Sequence, residues 1–137
     1  MSQAHYARIA DLYDQFVQSD FDVAFFTDAL RDCESVLELM SGTGRLSLPL
    51  IRAGIKLTCV DFSAPMLDKL RDKLNAEGLT AAVHHMDVRE LTLDSTFDCI
   101  IIPFHAFPEI TDEADQKQAL ARIRAHLTPS GRLICTL

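Results

Sequence analysis

The chain has 137 residues, 48% of them apolar, and a formal net charge of −7 at pH 7. That length suits one layered unit around a single core. The acidity argues against a phosphate-neutralising face, and so against nucleic acid as a partner, and no apolar run reaches the roughly 18 residues of a membrane span.

The N-terminus has no basic stretch leading into an apolar core, so no secretory signal is read and the expected location is the cytoplasm. From Ala4 to Val17, Tyr6, Ile9, Leu12, Tyr13 and Phe16 recur at helical steps and make one apolar stripe. A second short helix is expected from Asp20 to Arg31, with Phe21, Ala24, Phe25 and Leu30 inward. Together they form an N-terminal helical cap, residues 1–32, on a core at 34–137. No linker-like composition divides the two, so residues 1–137 read as a single domain.

Next comes Val36-Leu37-Glu38-Leu39-Met40, a tight apolar run of the length of a buried parallel strand. The turn Ser41-Gly42-Thr43-Gly44 follows, and then apolar residues at helical spacing. Two glycines at a strand exit let the backbone turn sharply and approach a ligand. Lys56 to Val60 reads as a second strand ending at Asp61. Ser63 then caps a helix carrying Met66, Leu67, Leu70 and Leu74 on one face, closed by Gly78. Thr80 to His85 is a third strand, ending at Met86-Asp87. Phe97 to Ile102 is the most hydrophobic run and the expected central strand, stopped by Pro103 and followed by the loop Phe104-His105-Ala106-Phe107-Pro108. Thr111 and Asp112 open a helix to about Leu127 with Leu120, Ile123 and Leu127 inward. Thr128-Pro129-Ser130-Gly131 ends it, and Arg132 to Leu137 is the last strand. Strands alternating with helices imply an α/β, three-layer fold with a mostly parallel sheet covered on both faces.

Cys33, Cys59, Cys99 and Cys135 contain no CxxC pair and read as buried thiols of a reducing compartment, not disulfides or metal ligands. His84 and His85, adjacent on a strand, face opposite ways and do not share a metal.

In such a sheet, ligands sit outside the carboxyl ends of the strands. Asp61 lies one strand-turn-helix-strand unit beyond Gly42, the distance at which a carboxylate accepts both hydroxyls of a ribose lying over the glycine turn. Asp87 can accept from an exocyclic amine, and Phe62 can flank a base.

These pieces, Glu38-Leu39-Met40-Ser41-Gly42-Thr43-Gly44-Arg45, Val60-Asp61-Phe62-Ser63-Ala64-Pro65-Met66-Leu67, Met86-Asp87-Val88, Phe97 to Ile101 and Leu127 to Leu133, in this order, resemble the class I S-adenosylmethionine-dependent methyltransferases. The resemblance runs from Glu34 to the end and implies a Rossmann-like sheet in order 3-2-1-4-5 with S-adenosyl-L-methionine as cofactor. It implies that Glu38 supports the methionine end, that the backbone from Met40 through Ser41 and Gly42 to Gly44 wraps the cofactor, and that Asp61 holds the ribose. Phe62 would lie against the adenine, and Asp87 with Val88 would read its edge. Pro103 and the residues after it would stand beside the transferable methyl group, with Met66 and Tyr13 completing the cofactor-binding set. The implied reaction is methyl transfer to a small-molecule acceptor or, less favoured, a protein side chain.

The chain departs from the family pattern in two places. Met40 stands where the first glycine is usual, so an ordinary backbone conformation is expected there. The sheet stops at Leu137, short of the usual two further strands, which leaves Leu133 to Leu137 as an apolar edge without charge. Self-association through 132–137 as a homodimer is expected, or else the chain is a fragment of a longer product. His105 is the candidate general base, with a loop residue of no catalytic role as the alternative. Two other functions stay open: a non-catalytic cofactor-binding module, and a nicotinamide-dinucleotide oxidoreductase suggested by Gly42-x-Gly44-x-x-Ser47, where Ser47 fits poorly.

Overall fold

The computed structural model describes residues 20–104 and 106–136. The helix expected over 4–17 with Tyr6 and Tyr13, the candidate base His105, and Leu137 therefore lie outside the described residues.

Five parallel strands form the sheet: β1 (Val36–Leu39), β2 (Leu57–Asp61), β3 (Ala82–His85), β4 (Phe97–Ile102) and β5 (Leu127–Cys135). Their order is β3-β2-β1-β4-β5, as expected from the resemblance. Among the described residues four helices pack against it: α1 (Val23–Ala29), α2 (Ser47–Arg52), α3 (Ala64–Glu77) and α4 (Glu113–Ala125), with 3-10 turns at Val88–Glu90 and Phe107–Glu109. β1 is central, and β4, expected there from its hydrophobicity, lies one place off centre because β5 adds beyond it. Glu38 lies opposite Cys59 of β2 and Ile101 of β4.

Alternation along the strands divides the core in two. Val36, Leu57, Cys59, Cys99 and Ile101 face α1, α2 and α3, where Phe26, Leu30, Leu48, Leu50, Leu67, Leu70 and Leu74 meet them. Leu37, Leu39, Val60, Ile100 and Ile102 face the other way onto Ala119 and Ile123 of α4 and onto Leu91. Because strand residues alternate, Glu38 projects to the α2 and α3 side.

The caps act as the sequence suggests. Ser63 accepts from Met66 N, Asp112 accepts from Ala114 N and Asp115 N, and Gly78 closes α3 at φ +65.

Several expectations are corrected. The second helix starts at Val23, not Asp20, and buries Phe26 with Leu30, while Phe21 and Phe25 are 66% and 56% exposed and Ala24 also faces out. The later start shifts which residues fall on the covered stripe. On α4, Ala119 and Ile123 pack inward and Leu120 is 42% exposed, because the sheet accepts a small side chain there. β5 begins at Leu127, taking in Pro129 and Gly131, and its register against β4 shifts between Phe97 and Cys99. A proline is tolerated at this edge of the sheet. Cys59 and Cys99 are buried, with burial pushing their thiols up to about 12 and about 11. Cys33 and Cys135 are only half-buried, and all four are free. No helix among the described residues is long and apolar enough to cross a membrane.

Candidate functional site

β1, β2, β3 and β4 end on one rim of the sheet, and the polar residues at those ends surround two adjoining cavities. The larger, about 270 Å³, lies over the ends of β2 and β3 against Asp87, Val88, Arg89, Glu109 and Asp115. The smaller, about 60 Å³, lies over the ends of β1 and β4 against Glu38, Ser41, Gly42, Arg45, Met66, Pro103 and Phe104. Met40, Asp61, Phe62 and Glu109 border both.

The turn after β1 is pinned by backbone bonds from Ser41 N to Val60 O and from Gly44 N to Ser41 O. It places Gly42 at φ +60 and Gly44 at φ +92. A Cβ at Gly42 would stand in open space, so this is the surface a ligand can approach. A Cβ at Gly44 would lie 2.5 Å from Leu70 Cδ1, so this glycine serves the packing of the turn on α3 and borders neither cavity. Met40 is the main correction here. Its backbone is not ordinary but left-handed, at φ 57. Residue 40 keeps the conformation that a glycine would adopt there, and the thioether is lodged on the apolar cluster beside α4.

Asp61 is 7% exposed, and both its oxygens are aimed by backbone donors: Oδ1 accepts from Gly42 N at 3.2 Å and Oδ2 from Ser63 N at 3.0 Å. Burial raises its carboxyl above the ordinary range against the pull of those donors, with Glu109 adding to the rise. Glu38 is 1% exposed. Burial pushes its carboxyl up to about 7, opposed by the Ser47 hydroxyl that donates to it and by the nearby Arg45 charge. Here Ser47, the poor fit to a dinucleotide fingerprint, has a different use.

Asp87 borders the larger cavity, and its carboxylate already has a protein partner. Arg89 Nε lies 3.1 Å from both oxygens and Nη2 2.6 Å from Oδ2, while Nη1 reaches Asp115 of α4 at 2.9 Å. These bonds hold the Asp87 carboxyl below its usual range. Arg89, Glu109, Asp115 and Arg45 were given no role from sequence, whereas Phe104 lies in the stretch from Pro103 onward that the resemblance placed beside the methyl group. Arg89 follows Asp87 by two and Arg45 follows Gly44 directly, which are the available local signals; Glu109 and Asp115 are brought in by the crossing of the chain.

The donor set suits an adenosine with an amino acid end. Two aimed carboxylate oxygens match a cis-diol, an open glycine face admits close backbone approach, and a buried carboxylate matches an amine.

A family model described as a methyltransferase domain matches residues 36–131. The chain belongs to this methyltransferase family. Over 77% of its length, the chain is 40% identical to the cypemycin N-terminal methyltransferase of a Streptomyces species, covering 43% of that protein. In structure it is similar to the CcbJ methyltransferase of Streptomyces caelestis, with a TM-score of 0.87, 29% identity and coverage of 98% of this chain and 58% of that one. It is also similar to the glycopeptide N-methyltransferase MtfA solved with S-adenosyl-L-methionine, with a TM-score of 0.74, 28% identity and coverage of 87% and 55%. The chain thus spans about half the length of the relatives it matches. Family membership sets the nicotinamide alternative aside.

Proposed function

We propose that the chain binds S-adenosyl-L-methionine and serves methyl transfer to an amine nitrogen of a small-molecule acceptor. The observation that carries this reading is the pair of carboxylates flanking the open Gly42 turn: Asp61, aimed by two backbone N–H groups, and Glu38, buried at the centre of the sheet. Asp61 would hold the ribose hydroxyls, the turn from Met40 to Gly42 would lie along the cofactor, and Glu38 would receive its ammonium group. Phe62, Val88 and Asp87 would border the adenine, with Met66 and Pro103 at the other end and Tyr13 as a cover. The bound group supplies an electrophilic methyl on a sulfonium. The chain's own task is to orient the acceptor lone pair and exclude water.

The amine preference rests on charge. Glu109, a carboxylate that the cofactor reading does not use, borders the smaller cavity, and Arg45 on the same wall is matched by Asp22. A basic acceptor is therefore favoured over an anionic one. The glycopeptide relative's name also specifies nitrogen. His105, just past β4, is the proposed acceptor of the amine's proton. The four free cysteines fit a cytoplasmic setting.

The test is calorimetric titration with S-adenosylhomocysteine and with NAD, repeated on Asp61→Ala. Micromolar binding of the first alone, lost by at least tenfold in the variant, is expected; binding of NAD alone overturns the reading. A second reading is a cofactor-binding module without catalysis. Transfer of labelled methyl to an amine panel separates the two.

A further inference from the structure

Beside the smaller cavity, one guanidinium holds three segments of the chain together. Arg45 follows the glycine turn directly. Its Nη1 and Nη2 lie 2.6 and 2.8 Å from the two oxygens of Asp22, the residue before α1. The pair is nearly sealed from solvent, with side chains 11% and 6% exposed. Its flat face lies over the ring of Phe104, 4.4 Å from the centroid, with the Phe21 ring at 6.0 Å. The two rings are themselves 6.0 Å apart.

Phe104 lies in the loop after β4 and takes φ 59, left-handed backbone that a bulky side chain rarely keeps without a partner. It borders the smaller cavity together with Glu38, Gly42 and Pro103. The two strained non-glycine positions among the described residues, Met40 and Phe104, both border that cavity. A bidentate fork on one side and a stacked ring on the other is a geometry that arginine alone among the cationic side chains supplies.

We propose that Arg45 is a positioning residue. Clasped by Asp22, it holds Phe104 in its strained conformation and so sets the wall of the cavity that receives the methionine end of the ligand. This rests on the cofactor reading above. The segment before α1, the glycine turn and the loop after β4 then order together, and ligand affinity depends on that order although Arg45 need not touch the reacting atoms.

The test uses the whole chain and two readouts. The first is hydrogen–deuterium exchange without ligand. Arg45→Lys keeps the charge but loses the fork and the flat face, and it is expected to speed exchange about tenfold both in residues 20–30 and in the loop after β4, with β2 still protected. Asp22→Asn, which keeps the ring contact and weakens the fork, serves where Arg45→Lys does not fold. The second is calorimetry with S-adenosylhomocysteine. Affinity is expected to fall about tenfold in Arg45→Lys and in Phe104→Ala, and to stay within about twofold in Phe104→Trp, which keeps a ring on the guanidinium. Exchange that rises only over 20–30, exchange that rises everywhere including β2, or affinity untouched by Phe104→Ala overturns the proposal. If S-adenosylhomocysteine binds none of the proteins, the original included, the cofactor reading fails. Exchange then decides the clasp alone, which stands if both segments loosen together and falls otherwise.

Discussion

Folding disfavours the charged form of Glu38. Its folded carboxyl titrates at about 7 against an ordinary 4.5, because burial penalises the anion. Between those values the folded form keeps a proton that the unfolded chain has lost, so stability falls as pH rises through the window and stays lower above it. The size is on the order of 3 kcal/mol. Urea denaturation across pH 5 to 8 is expected to show this decline in the original chain and a much flatter profile in Glu38→Gln, whose amide carries no charge. Equal slopes would mean that Glu38 ionises freely. Asp61 adds to the decline in its own lower range, and Asp87, whose carboxyl Arg89 holds down, opposes it by losing stability as pH falls. Met40 offers a second test at this scale. A non-glycine residue in left-handed backbone costs about 1–2 kcal/mol. Met40→Gly relieves that strain but gives up thioether packing and loosens the unfolded chain. Its stability is expected within about 1 kcal/mol of the original, whereas Met40→Ile, branched at Cβ, falls by about 2 kcal/mol or more.

At the level of elements, the turn after β1 and helix α3 are fitted to one another. Lys73 of α3 donates to Thr43 O at 3.0 Å, and Leu70 of the same helix fills the space beside Gly44. Two glycines two residues apart therefore have unlike consequences. Gly42→Ala adds a methyl in open space and incurs the backbone term, about 1 kcal/mol. Gly44→Ala adds the same term and places a methyl against fully buried Leu70, so a loss of about 3 kcal/mol is expected from denaturant midpoints. Trimming the obstruction should relieve part of it: Gly44→Ala with Leu70→Ala is expected to lose less than the sum of the single variants. Strict additivity would show that the turn and helix do not compete for that space. The Arg89 link between Asp87 and Asp115 couples β3 to α4 in the same way, across the larger cavity.

For the whole molecule, the open question is the edge of the sheet. Among the described residues β5 has β4 as its one neighbour, and Leu133, Ile134 and Cys135 are half-buried. Thr136 N donates to Ile102 O, so by alternation the N–H groups of Cys135 and Leu133 point away from the sheet. We propose self-association through this edge. Light scattering is expected to show a concentration-dependent dimer that Cys135→Pro abolishes, and a monomer at every soluble concentration would refute it. The strands, the helices and the places of Asp61 and Asp87 at strand ends were readable from local signals, namely hydrophobic periods of two and three to four, glycine at a strand exit and a cap at a helix start. The strand order and the cofactor class came from the family resemblance. The phase of α1 and α4 was not readable, because Phe25 against Phe26 or Leu120 against Ala119 differ by one residue in a broad apolar stripe and the shape of the sheet chooses between them. The left-handed Met40 was not readable either, since its side chain argued for ordinary backbone while the two flanking strands imposed the turn. Nor was the clasp, in which Asp22, Arg45 and Phe104, remote in sequence, meet only after the chain has crossed the sheet. Local pattern in the chain thus located the polar groups that stand at the strand ends. Which of them already hold one another was settled by folding, because such pairing depends on distances created between remote residues.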